Sequence, residues 1–326
     1  MRSGKELISD SKQFSTENRW RSWVELMITL ILAITFFSSG LIEVVPLPLR
    51  LFSCFVCGLL YVRLFVIYHD YEHRAILQNS TVAHWIMIFL GIYLLAPEAI
   101  WKRSHDHHHN HNSKLTLSGI GSYPTVSKAR FLSLSKKEQR LYLINRHPLT
   151  VVFGYFTLFV YWLNVKSYLE SPKKHVDSLV ALVFHLTAAT TVIYFFGVIS
   201  FFIAWFFPFL MAFAIGSYLF YSQHNFPGAK FHENNEWAYD RAAIYSTSRM
   251  IMSPVMNWFT GNIGYHHVHH LNSRIPFYRL KEAMNSMPEL ENVPTTSWSP
   301  VEIIRCLRLK LWDAEQGKMI TLSQLR

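Results

Sequence analysis

The chain has 326 residues, 51% of them hydrophobic and only 16% charged, against roughly 25% charged in an ordinary soluble domain. So little charge cannot cover a water-soluble globule, three cysteines exclude a disulfide scaffold, and 25 Phe, 16 Tyr and 10 Trp exclude a disordered or fibrous chain. The net charge of +10 suits either a nucleic-acid binder or a membrane protein with Lys and Arg in its cytoplasmic loops, and the placement of those charges decides between them.

Residues 1–21 carry Lys5, Lys12, Arg19 and Arg21, and no small-residue cleavage site follows the first apolar run. The N-terminus is therefore predicted to stay in the cytoplasm rather than act as a cleaved signal. Residues 26–42 contain no Asp, Glu, Lys or Arg, and the link at 43–48 has no Lys or Arg, which suits the far side. Residues 51–68 are apolar except for Arg63, which is expected to snorkel to the cytoplasmic interface. Residues 81–97 are uncharged but lie between two cytoplasmic motifs, so they are expected to re-enter or to lie along the surface. The block 101–147 holds nine Lys/Arg against two acids and should be cytoplasmic.

Residues 149–165 are again uncharged, and residues 178–229 carry none of the four charged types over 52 positions. A bilayer core of ~30 Å needs roughly 20 helical residues, so the second stretch allows two crossings, with Gly197 and Pro208 as places to turn or kink. Three crossings at 149–165, 178–196 and 199–221 would leave the following residues on the outer face. One of the three is therefore expected not to cross. Basic charge brackets these spans, which argues against nucleic acid as a partner, and soluble helices would show a polar face. The expectation is an all-α integral membrane protein of about four transmembrane helices. Re-entrant or interfacial helices and a cytoplasmic histidine-rich cap complete it. It reads as one domain over 1–326, with a cytoplasmic N-terminus at 1–21 and a polar cytoplasmic tail at 272–326.

Three clusters hold most of the 17 histidines. His69 and His73 are four apart and share one helical face. His105, His108 and His109 follow the pattern His-x-x-His-His, and so do His266, His269 and His270; only one register fits each cluster. Imidazole suits Fe, Zn, Cu and Ni. Eight clustered imidazoles exceed the four ligands of one tetrahedral zinc, and two metals with four or five each would use them. A surface His-rich loop could explain the second cluster alone, but not three clusters each phased to one face.

These residues resemble the three histidine boxes of the membrane fatty acid desaturases, closest to the acyl-lipid branch with the delta-12 and omega-3 enzymes. Trp101, Lys102, Ser104, His105, His108 and His109, trailed by Asn112, are similar to that branch's second box. Asn262-Ile263, His266, His269, His270, Leu271, Pro276 and Tyr278 follow its third. Gln223-His224, then Pro227 and Glu236-Trp237, resemble the segment that carries a further histidine. The resemblance covers roughly residues 60–285. It implies two irons held by His69, His73, His105, His108, His109, His224, His266, His269 and His270. Asp70 and Glu236 are candidates to accept the free N–H of a ligand imidazole. His107, His111 and His267 fall outside the pattern and are expected to be replaceable, and His84, His147, His175, His185 and His232 are read as structural.

Taking hydrogen from an unactivated CH2 exceeds any side-chain acid or base; paired irons with O2 can do it. O2 takes four electrons and the acyl C–C bond gives two, so a separate donor of ferredoxin or cytochrome b5 type must give the rest. No Glu-x-x-His occurs, which disfavours the soluble di-iron architecture. Cys54-x-x-Cys57 has no second pair for a metal site. The expected substrate is a fatty acyl lipid among membrane lipids, and a bacterial inner membrane or an endoplasmic reticulum suits the chain equally. The rival reactions are hydroxylation, epoxidation or ketolation on the same irons; a metal transporter with a His-rich loop is more remote.

Overall fold

A computed structural model describes residues 2, 4–116, 120–233 and 235–325. Three helical stretches are long and apolar enough to cross a membrane: Arg19–Leu41, Leu47–Glu72 and Val176–Ser222. The first two pack side by side as an antiparallel pair joined by a five-residue link. The third is itself a hairpin. Gly197 takes φ 78° and ψ 168° inside it, a conformation only glycine adopts cheaply. His185 and Phe209 then meet with ring centroids 4.8 Å apart, where an unbroken helix would separate them by about 36 Å at 1.5 Å per residue.

One end of this bundle is tied by Arg50. Its Nε donates to the Gly40 carbonyl at 3.0 Å and its Nη2 to Ser200 Oγ at 2.7 Å. The other end gathers the histidines. The second long helix stops at Glu72, just before His73. The hairpin begins beside the second box, where Ala99 N–H donates to Asp177 Oδ2 at 3.0 Å, and it ends at Ser222, just before His224.

The segment Thr81–Tyr93 has only 13 residues, about 20 Å of helix, too short for a ~30 Å core. An 86° bend then turns it into Glu98–His111, which brings the second box back beside the first. A helix pair bent in this way has the geometry of a broken span or of the re-entrant course expected for 81–97. The stretch 149–165 differs from the long helices: it forms a short helix Pro148–Val152 and a π-helical run Tyr155–Lys166. That run lies against the hairpin through Phe159 and Phe213, whose centroids are 4.0 Å apart.

One expectation is corrected. Arg63 does not snorkel: it is 2% exposed and ion-pairs with Glu25 on the facing helix. Its Nε donates to Thr29 Oγ1 at 3.1 Å, another N–H donates to the Trp258 carbonyl, and the guanidinium lies 4.1 Å from the Trp258 ring centre. A polar partner within reach outweighs the pull of water. Removing only the anion should therefore be costly. Glu25→Ala is expected to destabilise by about 3–5 kcal/mol, and Arg63→Met by much less, compared through unfolding midpoints in detergent.

The stretch 272–326 packs against the rest of the chain. Phe277, Leu280, Met284, Met287 and Leu290 are buried in the main core. Thr295–Ser297 pairs in parallel with Arg249–Ile251, and Leu309–Asp313 pairs antiparallel with Lys318–Thr321. The hairpin closes a second core of Phe226, Cys306, Trp312 and Met319. Charged residues between these positions lower the average hydropathy and hide a helical i, i+3, i+4 stripe.

Candidate metal centre

Each histidine box sits where a helix ends. His69 lies in the last turn of Leu47–Glu72 and His73 caps it. The second box fills the last turns of Glu98–His111, and the third forms the short helix His266–Leu271. Asn262, with φ 56°, turns the chain into that helix; asparagine tolerates this left-handed region better than other residues with a side chain.

Among the described residues, two groups of imidazoles converge, each with its ligand nitrogens within 4.8 Å of one another. One is His69, His73, His105, His109 and His269; the other is His108, His224, His266 and His270. All nine are buried. Helical phase explains the division. His105 and His109 stack one turn apart on one face, while His108 is rotated by about 100° from His109 and reaches the other group. In the third box His266 and His270 are the stacked pair and His269 crosses over.

The nitrogens meet in a way protons serve poorly. Nε2 of His105 lies 3.0 Å from that of His69 and 3.1 Å from that of His109. Nε2 of His266 lies 2.9 Å from that of His224 and 3.1 Å from that of His270. A single ring nitrogen has one N–H or one lone pair, so it cannot bond well to two others. A cation can. Metal–imidazole bonds of about 2.1 Å at right angles separate their nitrogens by about 3.0 Å, the spacing found here. His73 Nε2 is buried with no hydrogen-bond partner. Burial, reinforced by neighbouring imidazoles, holds His266, His269 and His270 well below histidine's usual pKa, and burial pushes His224 down to about 3. The neutral form favoured in this way is the form that binds metal.

Asp70 lies against the first box. One carboxylate oxygen lies 3.2 Å from His69 Nδ1, and the other accepts the Phe277 N–H at 2.6 Å. The pair of bonds fixes the His69 ring and ties the first box to the run after the third. Glu236 does not join: its side chain is exposed and lies outside both groups. The segment carrying it is a surface loop anchored by Trp237, whose Nε1–H donates to the Asn112 carbonyl at 2.7 Å.

His107 and His111 stack on each other at 4.0 Å, partly exposed and outside both groups. His267, which falls outside the ligand pattern, is fully buried, 3.1 Å from the Leu290 carbonyl. His84, His147, His175, His185 and His232 join neither group; His185 Nε2 pairs instead with the Tyr155 hydroxyl at 2.6 Å. Sequence reasoning passed over Gln223 as a support. Its side-chain amide donates to the Ile263 carbonyl at 2.8 Å, fixing the approach to His224; its adjacency to that histidine was the available signal. Trp101 stacks on His105, centroids 4.5 Å apart.

Beside both groups runs a largely apolar cavity of about 500 Å³, whose wall includes His69, His105 and His266. Polar residues such as Arg103, Lys166 and Glu170 line it as well.

Residues 46–298 match the family model described as fatty acid desaturase. The chain is 26% identical over 325 residues to a fatty acid desaturase of Bacillus subtilis, covering 99% of this chain and 92% of that one. It is 24% identical over 303 residues to the sn-1 oleoyl-lipid 12-desaturase of Anabaena variabilis, covering 90% and 85%. It is also 24% identical over 309 residues to the chloroplastic omega-6 fatty acid desaturase of Spinacia oleracea, covering 90% and 66%.

Proposed function

The chain belongs to the fatty acid desaturase family, and from that premise we propose that it converts a CH2–CH2 unit of a fatty acyl lipid into a cis double bond. O2 serves as oxidant, and the nine imidazoles hold two irons. The observation that carries this is the convergence of those imidazoles into two buried groups on the wall of one apolar cavity. Bound there, a pair of irons would supply the O2-derived oxidising power that hydrogen removal requires.

The chain's own residues do the rest. Five imidazoles form one set and four the other, and the lowered proton affinity of His224, His266, His269 and His270 keeps their lone pairs available. Asp70 holds His69 in one orientation through its ring N–H. Phe65, Trp101 and Ile263 keep the cavity apolar beside the histidines, which excludes water and lets the acyl chain lie along the wall. The substrate reaches this cavity from the membrane that the apolar helices occupy. The histidine end of the bundle faces the cytoplasm, where the basic block lies. Lys136, Lys137 and Arg140 are exposed there, and an acidic ferredoxin or cytochrome b5 is steered to them over ~8–10 Å, less so as salt rises.

The test is expression in a host without polyunsaturated lipids, with mass spectrometry locating new double bonds and elemental analysis of the purified chain. Unsaturated acyl chains and two irons per chain are expected. Hydroxylated or epoxidised chains would move the reading to the oxygen-inserting branch. Stoichiometric zinc with activity would overturn the irons.

A further inference from the structure

Five glycines lie inside α-helices among the described residues, and four have a local reason to be glycine. A Cβ on Gly40, Gly58 or Gly91 would meet a neighbouring atom at 3.1 Å or less, and Gly197 has a positive φ. Gly216 has neither reason: a Cβ there meets nothing within 4 Å. A glycine inside a helix costs roughly 0.5–1 kcal/mol relative to alanine, so this position gives up stability with no return in packing.

The open space is the cavity beside the metal centre, whose wall Gly216 joins. Gly216 lies eight residues before His224, about 12 Å along the helix at 1.5 Å per residue. On the facing helix Tyr61 lies eight residues before His69, the same distance from the histidines. Tyr61, Phe159, Ala212 and Phe213 line the cavity as well. Tyr61 is fixed there by the Tyr93 hydroxyl 2.5 Å from its own. The cavity therefore extends from the imidazoles along both helices, and Gly216 borders it.

We propose that Gly216 determines which acyl chains the enzyme accepts, because its missing side chain leaves room for the part of the chain beyond the reacting carbons. This rests on the desaturase reading and adds to it a residue that sets chain length. A larger side chain at 216 enters open space rather than another helix, so it shortens the cavity without repacking the bundle. Losing methylene contacts in an apolar pocket changes discrimination by roughly tenfold or more.

The experiment compares wild type with Gly216→Ala, Gly216→Leu and Gly216→Phe in hosts supplied with myristoyl, palmitoyl or stearoyl lipids. Three readouts are taken: product by chain length, chain length of acyl lipid co-purifying with the protein, and unfolding midpoint. Gly216→Leu and Gly216→Phe should shift both product and bound lipid toward myristoyl by about tenfold. Gly216→Ala should raise the unfolding midpoint and move the profile least. Gly216→Leu and Gly216→Phe folded as wild type with unchanged bound and product chain lengths would overturn the proposal. If the wild type makes no unsaturated product while Gly216→Phe still shortens the bound lipid, the desaturase reading fails and the role of Gly216 stands.

Discussion

Changing His69, His105, His109, His266 or His270 to alanine is expected to abolish the unsaturated product. Each change removes one imidazole from a buried group and opens a space that no neighbouring ligand can fill. The two groups should not respond alike. His108, His224, His266 and His270 form a set of four, the minimum for a tetrahedral site, so His266→Ala should lower bound iron toward one atom per chain. The other set has five members, and His105→Ala should lose activity with a smaller loss of metal. Asp70→Asn leaves every imidazole in place but removes the carboxylate from His69. A loss of about 10–100-fold in metal affinity or activity is expected. His107→Ala should keep substantial activity, since His107 stacks on His111 outside both groups. Elemental analysis and product measurement on the same preparations decide. A His107→Ala protein as inactive as His108→Ala would mean that the helical phase of the second box is misassigned.

The ligand groups were legible because their signal is local. Spacing of three and four on a helix survives any tertiary arrangement, and three such clusters can share a metal site only if the fold brings them together. Asp70 was legible for the same reason, lying next to His69 in the chain. Glu236 and His267 depended on tertiary context. Glu236 lies in a loop whose anchoring residue is Trp237, and His267 is buried because the run ending at Leu290 folds over it. Arg63 was misjudged because its partner, Glu25, sits 38 positions away on another helix. A lone arginine in an apolar run snorkels only when no closer anion exists. The broken course of 149–165 left no compositional trace. That stretch is as apolar as a span, and its π-helical course against the hairpin is a matter of packing.

The bundle has two ends, and every histidine group lies at one of them. The helix Arg19–Leu41 has 23 residues, about 35 Å at 1.5 Å per residue, enough for a ~30 Å hydrocarbon core. Residues at its two ends should then be reachable from opposite sides only. Val44, in the link between the first two helices, is 89% exposed and marks the end remote from the histidines. Asn110, Lys137 and Asn292 are exposed on segments around the histidine end. All three native cysteines are candidates for removal: Cys57 and Cys306 are buried and Cys54 half-buried. In a cysteine-free background, a membrane-impermeant maleimide is expected to label Val44→Cys in right-side-out vesicles. It should label Asn110→Cys, Lys137→Cys and Asn292→Cys only in inverted ones. The expected orientation follows from the nine Lys/Arg of 101–147, since basic loops favour the cytoplasmic side. Asn110→Cys and Asn292→Cys labelled from opposite sides would refute the arrangement outright, because imidazoles from both regions share one buried centre and a centre a few ångströms across cannot be divided by a bilayer.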